Sequence, residues 1–234
     1  MNTLIHPYHS SYLYDVMQNM AEAFDEAQNT YAIDLDTFLH MFISSGIAAE
    51  FEAGNPKYLA GFSGPALLME IICLTMPSFD IKPFSASVST LDTNITQSNT
   101  APFSFRSPAY WTGWVLANAQ WETGYSFHKI QTLISMQELT SMYYPLHEAD
   151  EGHIVEIILE RESQKTAKNL GQRLQAYRKA LGYSQRGLSE NAGINLRTLQ
   201  QYEIGGKNLK KASAETLYSM SKALGCSIEN LLQA

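Results

Sequence analysis

Ser184-Gln185-Arg186-Gly187-Leu188-Ser189-Glu190-Asn191-Ala192-Gly193-Ile194-Asn195-Leu196-Arg197-Thr198-Leu199-Gln200-Gln201-Tyr202-Glu203 reads as two short helices joined by a tight turn. Ser184 suits an N-cap, because its hydroxyl can accept an orphan N–H of the first turn. Leu188 and Ala192 stand four apart and share a face. Gly193 ends this helix, since it can adopt the left-handed conformation favoured just past a helix C-terminus. Asn195 then caps a second helix, with Leu199 and Tyr202 inward and Leu196, Arg197, Gln200 and Gln201 outward. An apolar inner face behind an Arg/Gln outer face suits a helix whose exposed side reads base edges.

The stretch resembles the helix-turn-helix of the Cro/cI (Xre-type) DNA-binding family, from about Asn169 to Leu232. The resemblance rests on Arg178 ahead of Gly182, the Ser184-Gln185 opening, Leu188 followed by a small residue, Gly193-Ile194, and Tyr202-Glu203. It implies a C-terminal five-helix domain that binds double-stranded DNA as a homodimer. It implies base contacts from Leu196, Arg197 and Gln201, to which the cap Asn195 is added. It implies phosphate contact from Gln185, with Arg186 beside it, and a structural ion pair between Arg178 and Glu203. Two residues depart from the family pattern. Leu196 is apolar where a polar reader is common, so it meets a thymine methyl or simply packs. Gly187 replaces a better helix former, at a cost of about 1 kcal/mol against Ala. The loop that follows, Ile204-Gly205-Gly206-Lys207-Asn208-Leu209-Lys210-Lys211, places Lys207, Asn208, Lys210 and Lys211 where phosphates are expected.

Charge divides the chain in the same place. Residues 1–162 hold five basic and nineteen acidic side chains, a balance of −14, whereas residues 163–234 hold eleven basic and four acidic, a balance of +7. A small basic domain beside a large acidic one suits a DNA reader joined to a module with another partner, although an acidic half is also an ordinary solubilising surface. No run of about 18 apolar residues offers a membrane span, and Met1–Ser10 lacks the features of a signal peptide. Cys73 and Cys226 both lie in apolar helical patterns and read as buried, reduced thiols of a cytoplasmic protein.

The fold class expected is all-α, with a helical domain over 1–160, a linker or helical bridge over 161–168, and the DNA-binding domain over 169–234. Helical periodicity marks 10–28 and Asp34 to about Phe51, after which Asn55-Pro56 breaks the pattern. Gly61-Phe62-Ser63-Gly64-Pro65 approaches the serine-hydrolase motif, but the second glycine follows the serine directly and no strand precedes it. A cap for a helix over Ala66 to about Met76 is the better reading, and no enzyme is expected. Residues 77–107 read as an irregular loop. Trp111, Trp114, Val115 and Trp121 then recur at helical spacing with Asn118 as the polar break, and Gly124 ends that helix. Such a stripe is core, or else a face for a partner or ligand. Helices follow over about Ser126–Ile134 and Ser135–Met142. His147-Glu148-Ala149-Asp150-Glu151-Gly152-His153 lacks metal-ligand spacing and reads as the acidic start of a helix from Asp150 to about Arg161; no metal and no cofactor is expected. Leu170, Leu174 and Leu181 face inward on the next helix, and helices at about Ala214–Leu224 and Ser227–Leu232 close the core.

Asn55-Pro56-Lys57-Tyr58-Leu59-Ala60-Gly61, Ser107-Pro108-Ala109-Tyr110-Trp111-Thr112-Gly113-Trp114 and Met142-Tyr143-Tyr144-Pro145-Leu146-His147-Glu148-Ala149-Asp150 resemble a group of bacterial Xre-type regulators encoded beside small toxin-like proteins. That resemblance implies an antitoxin that binds a cognate toxin and represses its own operon. The alternative is a ligand-sensing regulator with a small-molecule pocket in the N-terminal domain.

Overall fold

Helix α1 (Leu13–Asn29) is amphipathic: Val16, Met17, Met20, Ala21, Ala23, Phe24 and Ala27 are all buried. It begins three residues later than the periodicity suggests, because Ser10–Tyr12 forms a 3₁₀ turn capped by the His9 side chain. The computed structural model describes residues 6–76 and 106–233, and these contain no strand, so the fold is all-α. Most of the loop expected over 77–107 lies outside the described residues. The chain divides into two compact units, Met1–Ile158 and Leu159–Ala234.

In the first unit the helix expected over Asp34–Phe51 is two helices, α2 (Leu35–Ser44) and α3 (Ile47–Glu52). Gly46 separates them at φ 83°, a left-handed conformation that side chains disfavour. The break lets Phe42 meet both Phe51 and Phe127 edge to face, at centroid distances of 5.3 and 5.0 Å. Asn55 does not merely end the pattern: its side chain caps the short α4 (Pro56–Leu59). Ser63 caps α5 (Gly64–Thr75), accepting from the Ala66 N–H at 3.5 Å. Cys73, on the outer side of α5, is exposed rather than buried, and Cys226 is half-buried.

The tryptophan-bearing helix is α6 (Pro108–Thr123), capped by Ser107 and ended by Gly124 at φ 64°. Every residue from Ala109 to Gln120 is buried, so α6 is the central helix of this unit and no stripe distinguishes it. It runs antiparallel to α1: Ser107 donates to Asp25 near one end, and Trp121 Nε1 donates to Tyr8 O at 2.9 Å near the other. Between these ends the backbones close up at Gly113, where a Cβ would stand 2.5 Å from Met20 O.

Helices α7 (Phe127–Gln131), α8 (Met136–Ser141) and α9 (Tyr143–Leu146) complete the shell. Carboxylates distant in sequence satisfy two of their N-termini. Glu52 accepts from Phe127 N at 2.8 Å. Asp36 accepts from Met136 N and Gln137 N at 2.7 and 3.0 Å.

Glu26 is less well served. Its Oε2 is buried without a hydrogen-bond partner, and burial, then Asp25 and Glu22, hold its carboxyl above the usual range. A carboxyl whose pKa is raised on folding takes up a proton more readily when folded. The first unit therefore gains stability as pH falls through the raised value toward the ordinary carboxylate range. Glu26→Gln should raise the thermal midpoint at pH 7, with the advantage over wild type shrinking as the pH approaches 4; melting curves at the two pH values check this.

Helix α10 (Gly152–Ala180) runs through residues 161–168 without interruption. This polar stretch carries no Gly or Pro. The Gln164 amide donates to Glu160 one turn earlier at 3.0 Å, and Ala167 is buried. The contact boundary falls between Ile158 and Leu159. In the second unit α10 is followed by α11 (Gln185–Ala192), α12 (Leu196–Glu203), α13 (Ala214–Leu224) and α14 (Ile228–Leu232). They close over Leu170, Leu174, Leu188, Leu199, Tyr202, Met220 and Leu231. Leu181, expected inward, is 51% exposed: it lies beyond the end of α10, where the chain turns through Gly182 at φ 73°.

Candidate nucleic-acid interface

The turn between α11 and α12 is built from local caps. Gly187 N donates to Ser184 Oγ at 2.9 Å. Gly193 is left-handed at φ 65°, and Ile194 N closes back onto Ser189 O at 2.9 Å. Asn195 Oδ1 accepts from Arg197 N and Thr198 N at 2.9 and 3.4 Å. With Leu199 and Tyr202 anchored in the core, α12 presents Asn195 and Arg197 exposed and Leu196, Gln200 and Gln201 half-buried.

Beneath this face lies a buried ion pair. Arg178 donates through Nε to Glu203 Oε1 at 2.6 Å and through Nη2 to Oε2 at 3.0 Å. Its Nη1 donates to Tyr183 O at 2.8 Å. The side chains are 8% and 0% exposed, and the bond to Glu203 holds the guanidinium pKa above its ordinary value. Planar, bidentate and nearly dry, the pair ties the end of α10 to the end of α12. The helices also approach closely at Gly171, where a Cβ would stand 2.3 Å from Tyr202 O.

The loop after α12 is fixed from below. Gly205 sits at φ 76° with Lys168 Cα only 2.8 Å from where its Cβ would be, so conformation and space both demand glycine. Lys207 N donates to Gln201 O at 3.1 Å, and buried Leu209 pins the 3₁₀ turn Leu209–Lys211. Lys207, Lys210 and Lys211 are exposed around it.

The remaining site residues are more occupied than their sequence positions suggest. Gln185 is half-buried; it donates to Glu203 Oε2 at 2.8 Å and accepts from Gln200 Nε2 at 3.3 Å. Arg186 is exposed but pairs with Glu190 at 2.8 Å, a contact of small strength at such exposure. Asn208 caps the lysine turn, accepting from Lys210 N at 3.0 Å, and its amide reaches Ser163 Oγ at 3.4 Å. Gln200 did not enter the expected site, although its place on the outward face was visible from helical spacing. Only the facing α11 shows what it bonds to.

Residues 174–231 match the family model described as Helix-turn-helix. They form a helix-turn-helix domain of the Cro/cI type. No curated protein and no solved structure matches the chain. The match lies within the second unit, and it supports a DNA-binding transcriptional regulator. Among the described residues no helix is long and apolar enough to cross a membrane.

The tryptophans of the first unit lie on one side of α6 but meet different neighbours. Trp111, 3% exposed, packs on Tyr143, and Trp114, 6% exposed, lies against Tyr14 and Tyr110 and donates to Glu151 Oε1 at 3.1 Å. Trp121 is half-buried and stacks on His6 at 3.6 Å. Because α6 is buried all round, residues that share a helical row meet different neighbours. Among the described residues no group of three or more His, Cys, Asp or Glu stands together as a metal site.

Proposed function

We propose that the protein is a sequence-specific repressor that binds a two-fold operator as a homodimer, and that it acts as the antitoxin and autoregulator of a toxin–antitoxin pair. The observation that carries the DNA-reading part is the outward face of α12, with Arg197 exposed, followed by the loop that exposes Lys207, Lys210 and Lys211. Arg197 offers a fork of donors that fits guanine O6 and N7, and the Gln201 amide suits adenine N6 and N7. One such helix covers half a site, and half-sites repeat about one helical turn, roughly 34 Å, apart. The first unit is available for dimerisation and for a partner. Its acidity, 17 acidic against four basic side chains over residues 1–158, suits a basic protein.

The experiment is binding to the DNA upstream of its own gene, by fluorescence anisotropy across a salt series with unrelated DNA as control. Tight binding with a large preference is expected; weak, sequence-blind binding would remove autoregulation. Two variants separate the roles. Arg197→Ala should lose about 1–3 kcal/mol and relax preference at one base pair, whereas equal losses on all sequences would deny it a base. Lys210→Ala should weaken every sequence alike and lower the salt slope by about one unit. Co-purification with the product of the adjacent gene tests the antitoxin role.

A ligand-sensing regulator is the second reading. It is favoured by an open cleft of about 470 Å³ in the first unit, lined by Gln28, Asp34, Leu35, Gln137, Thr140 and Tyr144. Thermal stabilisation by a metabolite in the absence of any protein partner would move this reading to first place.

A further inference from the structure

The amide of Gln185 is held at both ends. Its Nε2 donates to Glu203 Oε2 at 2.8 Å, and its Oε1 accepts from Gln200 Nε2 at 3.3 Å. A carboxylate only accepts, so Gln185 must turn its nitrogen toward Glu203, whose other bonds go to Arg178. That leaves the oxygen facing Gln200, which must then donate. One N–H of Gln185 stays uncommitted. A phosphate oxygen needs a donor; the bond to Glu203 fixes which end of the amide is nitrogen, and the bond from Gln200 fixes the plane of the amide and so the direction of its second N–H.

We propose that Gln200 is a positioning residue: by donating to Gln185 it locks that amide so that its remaining N–H meets a DNA phosphate. Arg178 and Glu203 set the polarity of this chain of hydrogen bonds, and Gln200 closes it. The inference rests on the DNA-binding reading and extends it to a residue that need not touch DNA. At about 100° per residue Gln200 lies between Leu196 and Arg197 on α12, and it is half-buried against α11.

The test compares Gln200→Leu, Gln185→Ala and the double variant on the upstream duplex, with single phosphates replaced by neutral methylphosphonates. Gln200→Leu should weaken binding roughly three- to tenfold on every sequence, the effect of one hydrogen bond. It should also lose the sensitivity that wild type shows at one phosphate per half-site. The double variant should bind no more weakly than Gln185→Ala alone, because both changes remove one contact. Without DNA, 15N relaxation should show the Gln185 side-chain amide rigid in wild type and mobile in Gln200→Leu. Gln200→Met serves if leucine disturbs the fold. Unchanged affinity, additive losses, a loss confined to one base pair, or an equally rigid amide would each overturn the proposal. Wild type that binds no DNA would instead sink the DNA-binding reading itself, and the inference with it.

Discussion

Arg178→Ala should unfold the second unit rather than merely weaken its binding. The substitution leaves the Glu203 carboxylate with a 0% exposed side chain and only the Gln185 amide for company. Removing one partner of a buried pair typically costs about 3–5 kcal/mol, because the remaining charge is neither solvated nor neutralised. Whole domains of this size hold only about 5–15 kcal/mol, with small ones at the low end. Circular dichroism should show loss of the corresponding helical signal well below the wild-type transition, and amide exchange should lose protection over α11 to α14. The double change Arg178→Met with Glu203→Leu should recover much of the stability, since a dry pair is often replaceable by apolar side chains. It should not recover phosphate recognition, because Gln185 loses its acceptor. A folded Arg178→Ala with ordinary protection would show that the pair is dispensable.

Gly113→Ala should destabilise the first unit even though alanine is the better helix former. The propensity gain is about 1 kcal/mol. Against it, the new Cβ would lie 2.5 Å from Met20 O, 2.8 Å from Ala21 Cα and 2.9 Å from Met20 C. These are backbone atoms of α1, so no side chain can rotate away, and α1 and α6 must separate along their whole contact. Overpacking of this kind costs about 1–3 kcal/mol, occasionally more. The separation also loosens Phe24 and Leu116, both wholly buried. A fall of several degrees in the first unit's thermal midpoint is expected, with the second unit's transition unmoved. A rise would mean that the helices part more cheaply than their packing implies.

What the sequence by itself determined is what neighbouring residues decide. The turn from Ser184 to Glu203 was legible because its signals are local: a serine cap, a left-handed glycine and an asparagine cap, each acting within three residues. The all-α class followed from periodicity, and the outward side of α12 from helical spacing. Tertiary structure decided what distant residues do to one another. Gly46 breaks one apolar run into two helices so that Phe42 can meet Phe51 and Phe127. Asp36 and Glu52 cap helices 100 and 75 residues away. Trp111 and Trp114 read as a possible face, yet α6 is surrounded, and a periodic pattern cannot report how many neighbours a helix has. Gln185 and Gln200 stand 15 residues apart, and each alone is an ordinary surface amide. Only when α11 and α12 fold over the buried Arg178–Glu203 pair does each acquire a fixed orientation, because a hydrogen bond has polarity and the carboxylate at the end of the chain can only accept.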